Sequence, residues 1–292
     1  MQDSAGKRFR AALNNESPLQ VVGTINAYSA LLAEQAGFKA IYLSGAGVAN
    51  AQYGMPDLGM TTLTEVAEEV RRIANVSKLP LLVDADTGFG DILNVERTIK
   101  ELEKAGAAAI HLEDQITAKR CGHRDNKKVI STEDMTAKIK IAVASKTDPD
   151  FVIMARTDSV AVEGLDKAIT RMQEYIKAGA DMIFAEALYS LEDYKTVTQN
   201  VKVPVLANIT EFGKTPLFTV QELASANIKL VLYPLSAFRA MSKAATMVYK
   251  TIREQQTQKP CVEAMQTREE LYKVLNYYNY EQQLEDFLTA KS

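Results

Sequence analysis

The sequence predicts an α/β protein folded as a (β/α)8 barrel of the TIM type, and three observations carry that prediction. Short apolar, β-branched runs alternate with segments of helical period, the runs are evenly spaced, and polar residues gather at one end of them.

The runs are LQVVGTI, AIYLSG, LPLLVDAD, AIHLED, FVIMART, DMIFAEA, VPVLANI and IKLVLYP, which read as eight strands. Val21 to Val231 spans 210 residues in seven steps, 30 per step, the size of one βα unit. Strands this continuously apolar are covered on both faces, as parallel strands are. A weak internal echo supports the count: AGFKAIYL, AGAAAIHL and AGADMIFA each place a glycine (Gly37, Gly106, Gly179) at a predicted helix end, where it supplies a left-handed cap. Element order alone also allows an open doubly wound sheet. Polarity favours the barrel, because the strands' C-terminal ends carry Ser44, Asp84 with Asp86, Glu113, Arg156, Glu186 and Asn208, and barrels place active sites on that face. A long helix is predicted from Ser236 to Gln256, followed by a helical tail from about residue 257. Residues 1–292 thus read as one barrel domain with a tail. Tyr272, Tyr277, Tyr278 and Tyr280 give the tail either a subunit contact or a packing face.

Composition excludes several classes. Thirty-four Lys and Arg against 37 Asp and Glu give a net charge of -3, without the basic field that draws a chain to nucleic acid or anionic membrane. Two cysteines, Cys121 and Cys261, are too few for a disulfide framework and fit a reducing compartment. The start, MQDSAGKRFRAALNN, lacks an apolar signal segment, and no apolar run reaches the roughly 18 residues of a membrane span, so a cytoplasmic protein is expected.

Three motifs bear chemistry. In DADTGFGD, Asp84 and Asp86 stand two apart, so a strand would project them onto one face. They read either as ligands of a hard cation such as Mg2+, completed by water and substrate, or as caps of the next helix. GAGVAN half matches a dinucleotide fingerprint, but Asn50 replaces the third glycine, which leaves the exposed N–H groups as an anion cradle. KRCGHRDNKK sets Lys119, Arg120, Arg124, Lys127 and Lys128 around Cys121 and His123. It reads either as a loop that favours the reactive thiolate or as a solvated basic loop. Arg156, Arg239 and Arg268 would suit a substrate with several carboxylates if they converge.

KRCGHR after a strand ending in HLED, with DADTGFGD one unit earlier, resembles the isocitrate lyase and phosphoenolpyruvate mutase superfamily. The likeness covers almost the whole chain, through YLSGAGVA, PDLGMTTL, DPDFVIMARTD, ANITEFGKTPLF, LYPLSAFRAM and MQTREELY. Mutases and oxaloacetate decarboxylases of the superfamily lack the cysteine loop, so the resemblance points to a lyase. It implies a modified barrel whose final barrel helix is exchanged between subunits, in a homotetramer that binds Mg2+ or Mn2+. The implied activity is cleavage of (2S,3R)-2-methylisocitrate to pyruvate and succinate in propionate catabolism, with cleavage of isocitrate to glyoxylate and succinate as the alternative. The partners are then tri- and dicarboxylates, with no nucleic acid and no membrane.

Carried over by position, the resemblance assigns the metal to Asp84 and Asp86, backed by Asp57 and Glu113. Ser44, Gly45, Ala46 and Arg156 hold the pyruvate portion. Cys121, Gly122, His123, Glu186, Asn208, Ile209, Thr210, Arg239 and Arg268 surround the succinate portion. Cys121 is the implied general acid and Tyr42 the candidate base. The chain departs from the family at Ala46, where glycine is usual and a Cβ narrows the pocket unless φ is negative, and at Asp125, where proline is usual.

Overall fold

A computed structural model describes residues 3–120, 122–124 and 126–290. Eight parallel strands close into a barrel, each paired with its neighbours in sequence and the last with the first. They are β1 (Leu19–Gly23), β2 (Ala40–Leu43), β3 (Leu81–Asp84), β4 (Ala109–Glu113), β5 (Val152–Thr157), β6 (Met182–Ala185), β7 (Val205–Asn208) and β8 (Leu230–Tyr233). Every predicted run holds one of them. Gly37, Gly106 and Gly179 have φ of 91°, 107° and 108°, the left-handed values expected at the helix ends that precede β2, β4 and β6.

The strands alternate between two cores. Ile41, Leu43, Val83, Ile110, Leu112, Ile153, Ile183 and Val231 face outward into a layer shared with the helices. Ala40, Leu82, Ala109, Val152, Met154, Met182, Leu206 and Leu230 fill the barrel interior. A helix that was not read from the sequence, Ala5–Asn15, capped by the Ser4 hydroxyl, packs Phe9 and Ala12 with the interior residues. Gly6 permits that approach, because a Cβ there would stand 2.4 Å from the Asp150 carbonyl carbon.

The described residues form two compact units that divide after Ser236. The predicted long helix, Ser236–Gln255, starts at that division, and the second unit holds all of it beyond Ser236, then a 3-10 turn (Lys259–Ala264) and the helices Arg268–Val274 and Tyr277–Thr289. No residue of the long helix is buried, and Met241, Met247, Tyr249 and Ile252 are exposed along it. Tyr272 and Tyr277 stack with centroids 4.2 Å apart and Tyr278 meets both edge-on, so three tail tyrosines pack on one another. Among the described residues no helix is long and apolar enough to cross a membrane.

Candidate active site

Strand alternation places the polar residues. On β4, Ala109 belongs to the interior core while Ile110 and Leu112 belong to the outer one, so His111 and Glu113 point inward. The same period puts Ser44, Asp84, Arg156, Glu186 and Asn208 at the C-terminal mouth, all of them buried. The end-of-strand polarity therefore marks a single layer closing the top of the barrel.

The acid pair meets by a different route from the one expected. β3 ends at Asp84, and Asp86 lies beyond it with φ of 47°, in the left-handed region. The turn, not strand alternation, brings the carboxylates together: the Asp86 N–H donates to Asp84 Oδ1 at 3.0 Å, and Gly45 N donates to Asp84 Oδ2 at 3.1 Å. A Cβ on Gly45 would stand 3.1 Å from both Asp84 Oδ2 and Asp86 Oδ1. One N–H of the GAGVAN stretch, that of Gly45, is thus spent on the protein's own carboxylate. Ala46 sits in the short helix Gly45–Gly47 and is absent from the positive-φ residues, so its Cβ causes no backbone strain.

Asp84 and Asp86 differ electrostatically. Burial opposes ionisation of Asp84, but His111, Lys119 and Arg156 outweigh it and hold its carboxyl well below the usual range. Burial, reinforced by the Asp84 charge, pushes Asp86 up to about 7 against the pull of Lys119. Burial also pushes Glu113 well above its ordinary value, despite Arg156 and Lys119. The Lys119 ammonium lies 3.0 Å from Asp57 Oδ1 and in contact with Asp86 Oδ1. Burial alone would strip its proton; the carboxylates of Glu113, Asp86, Asp84 and Asp57 override this and raise its pKa well above 10.5.

This arrangement fits a divalent cation. Asp86 Oδ1 and both Glu113 carboxyl oxygens are buried without a well-formed hydrogen bond, and a lysine ammonium stands in for positive charge among them. Among the described residues no three His, Cys, Asp or Glu groups make a complete ligand set. Two carboxylates completed by water and substrate are a usual way of holding Mg2+.

Beside the pair, the Tyr42 hydroxyl is 2.9 Å from His111 Nε2 and 3.4 Å from Asp84 Oδ2. Burial drives His111 down to about 4, so it is a neutral imidazole. Burial, followed by the Asp84 charge, raises Tyr42 well above 10, so it is a phenol at neutral pH.

Across the mouth, Arg156 holds three carboxylates: Asp158 at 3.0 Å, Glu113 at 3.3 Å and Glu186 at 3.1 Å. Glu186 also faces His123 Nε2 at 3.0 Å and the Asn208 amide at 3.3 Å. Burial disfavours its charge, but Arg156 and His123 outweigh burial and hold its pKa well below the usual range. His123 Nδ1 accepts from Lys214 N at 3.0 Å, which leaves Nε2 as the donor toward Glu186.

The basic stretch is a hairpin pinned at its base, where Ile116 N donates to Lys128 O and Ile130 N to Asp114 O. The solvated-loop alternative is overturned for its inner side. Lys119 reaches Asp57 and Asp86, and buried Lys127 donates to Asp158 Oδ1 at 2.8 Å and to Gly122 O at 2.5 Å. Arg124 and Lys128 are exposed. Cys121 and Asp125 lie outside the described residues. Gly122 is wedged in, since a Cβ there would stand 2.5 Å from Arg156 Nη2 and 2.6 Å from Glu186 Cγ.

The structure therefore brings Tyr42, Ser44, Gly45, Asp57, Asp84, Asp86, Glu113, Gly122, His123, Arg156, Glu186 and Asn208 to one face, with Ile209 and Thr210 buried just after β7. Arg239 and Arg268 belong to the second unit. A cleft of about 400 Å3, lined by Asp86, Phe89, Arg97, Thr117 and Lys119 among others, opens beside the acid pair.

The family model for phosphoenolpyruvate phosphomutase matches residues 9–253, most of the chain. The chain belongs to the phosphoenolpyruvate mutase family. Its relatives include the 2-methylisocitrate lyase of Escherichia coli (strain K12), 60% identical over 99% of this chain and 98% of that one, and the 2-methylisocitrate lyase of Bacillus subtilis (strain 168), 43% identical over 96% and 92%. Among solved structures, 2,3-dimethylmalate lyase, a member of the same superfamily, aligns with a TM-score of 0.89 at 31% identity, over 97% of this chain and 95% of that one.

Within this family layout, several residues escaped the sequence reading. His111 and Asp158 each stand two positions from a predicted site residue, Glu113 and Arg156, and period two points to both. The inward turn of Lys119 and Lys127 carried no local signal, because their partners lie in other βα units.

Proposed function

We propose that the chain cleaves (2S,3R)-2-methylisocitrate to pyruvate and succinate, using Mg2+ or Mn2+. The observation that carries this reading is that Lys119, two residues before Cys121 in the sequence, contacts Asp86 of the acid pair at the barrel mouth. The 43–60% identity to 2-methylisocitrate lyases supports it.

Asp84 and Asp86 hold the ion, with Asp57 and Glu113 as their outer partners. When bound, the ion supplies charge that stabilises negative charge developing on substrate oxygens and offsets the Asp84 carboxylate that keeps the Tyr42 proton in place. Ser44, Gly45, Ala46 and Arg156 bind the pyruvate half. Gly122, His123, Glu186, Asn208, Ile209 and Thr210 bind the succinate half. Tyr42 takes the substrate hydroxyl proton as it passes its own phenolic proton to the neutral His111 Nε2, 2.9 Å away, the adjacent C–C bond breaks to leave the keto group of pyruvate, and the bonding electrons remain on the carbon that becomes part of succinate. Cys121 then delivers a proton to that carbon. A donor thiol must keep its proton, which cations oppose. Lys127, already committed to Asp158, weighs less against it than the bare sequence implies.

The chain acts in the cytoplasm as one barrel domain with a helical tail. It assembles as a homotetramer in which the final barrel helix is exchanged between subunits. Support comes from the helix Ser236–Gln255, which buries none of its residues and leaves an apolar face open to a partner copy.

The decisive experiment measures pyruvate and succinate release from 2-methylisocitrate with Mg2+, beside glyoxylate release from isocitrate. Turnover of the first at the higher kcat/KM is expected; no pyruvate at any ion concentration overturns the reading. Cys121→Ser should bind products and lose nearly all cleavage.

A further inference from the structure

Asp84, Asp86 and Glu113 are buried at or just beyond the C-terminal ends of β3 and β4, and Asp57 shares the Lys119 ammonium with Asp86. Buried acids of one sign require a counter-charge. Two cations are at hand. Arg156 is committed to Asp158, Glu113 and Glu186. Lys119 is paired with both Asp57 and Asp86. It is not part of the barrel wall: it rides on the hairpin, next to Arg120, whose backbone N–H and carbonyl are both bound by the Gln115 side chain, at 3.0 and 2.8 Å. The rest of the hairpin has anchors of its own, in Lys127 on Asp158 and His123 on Glu186.

We propose that Lys119 is an internal competitor of the divalent ion: it neutralises Asp86 and Asp57 while the ion is absent and must leave Asp86 when the ion arrives. The inference rests on the metal-binding reading above. An ammonium in contact with Asp86 Oδ1 and a dication on the same oxygen exclude each other, because like charges at that spacing repel strongly in a partly desolvated site. Ion binding and the position of the 115–120 arm are then linked, and the linkage is reciprocal: whatever draws Lys119 away tightens the ion, and the ion frees the arm. Because Lys127 and His123 hold the hairpin elsewhere, the displaced segment is the arm alone.

The test is direct binding of Mn2+ alone, followed by electron paramagnetic resonance, with amide exchange of residues 115–120 followed separately with Mg2+. In the parent protein, ion addition should accelerate exchange in 115–120 and leave 126–130 unchanged. Lys119→Met should bind Mn2+ at least ten-fold more tightly, and its arm should exchange at the same rate with and without ion. Unchanged or weaker Mn2+ binding by Lys119→Met overturns the proposal, since the lysine then either stays beside the ion or helps to hold it. If Lys119→Met does not fold, Lys119→Gln is measured in the same way with the same criteria. Failure of the metal reading itself looks different: the parent protein would then bind no Mn2+ at all.

Discussion

Lys127 Nζ lies 2.8 Å from Asp158 Oδ1 with both side chains almost fully buried, and the same ammonium donates to the Gly122 carbonyl. One buried cation therefore fastens the hairpin to the residue that also aligns Arg156. Removing one partner of a buried pair leaves an uncompensated charge, at about 3 to 5 kcal/mol. Lys127→Met should fall at the low end, about 3 kcal/mol, because Arg156 still faces Asp158. Chemical denaturation measures it, and Lys127→Met combined with Asp158→Asn should recover part of the loss.

Glu186 predicts a pH dependence. Its folded pKa lies below the ordinary 4.5, because Arg156 and His123 outweigh burial. A depressed acid contributes stability that is fully present above 4.5 and is lost as pH falls through the folded value, since the unfolded chain takes up the proton first. The stability gap between the parent protein and Glu186→Gln should shrink as pH falls below 4.5. A gap that widens on acidification would contradict the Arg156–Glu186–His123 arrangement.

Arg171 clamps the hairpin from below. Its guanidinium grips both Glu163 oxygens at 2.7 Å, donates to the Ile130 carbonyl at 2.9 Å, where the hairpin ends, and reaches the Tyr175 hydroxyl at 3.2 Å. A lysine cannot reproduce a planar fork. Arg171→Lys should cost about 1.5 to 3 kcal/mol, the worth of one hydrogen bond to a charged group, and should raise amide exchange at Ile116 and Ile130.

How far the sequence reaches can be followed along β4. Ala109, Ile110 and Leu112 announce a buried strand by composition, Gly106 announces the helix end before it, and Glu113 announces the site. Those are local signals, set by backbone sterics and strand period. What stayed hidden depends on distant partners. Lys119 looks like any solvated lysine until Asp57 and Asp86 are folded against it, and Asp86 looks like a strand residue until its left-handed φ is seen. The Ala5–Asn15 helix escaped because its few apolar residues matter only once a barrel exists for Phe9 to fill.

Gly45→Ala gives the sharpest check on the acid pair. Gly45 has helical backbone, so alanine is not excluded by conformation and the cost is one of space. The new methyl would stand 3.1 Å from Asp84 Oδ2 and 3.1 Å from Asp86 Oδ1, tighter than ordinary van der Waals contact with either. The carboxylates can yield only by rotating apart, which stretches the Gly45 N–H bond to Asp84 and the Asp86 N–H bond to the same side chain. Overpacking of this kind should cost about 1 to 3 kcal/mol of stability, while the barrel layers keep the fold intact. Mn2+ affinity should drop by about ten-fold, the equivalent of about 1.4 kcal/mol, and turnover at saturating ion should fall further, because a displacement near 1 Å at a reacting centre costs about a hundred-fold in rate. Loss of stability with unchanged ion affinity would mean that Gly45 serves the fold and that the two aspartates are not the ligands.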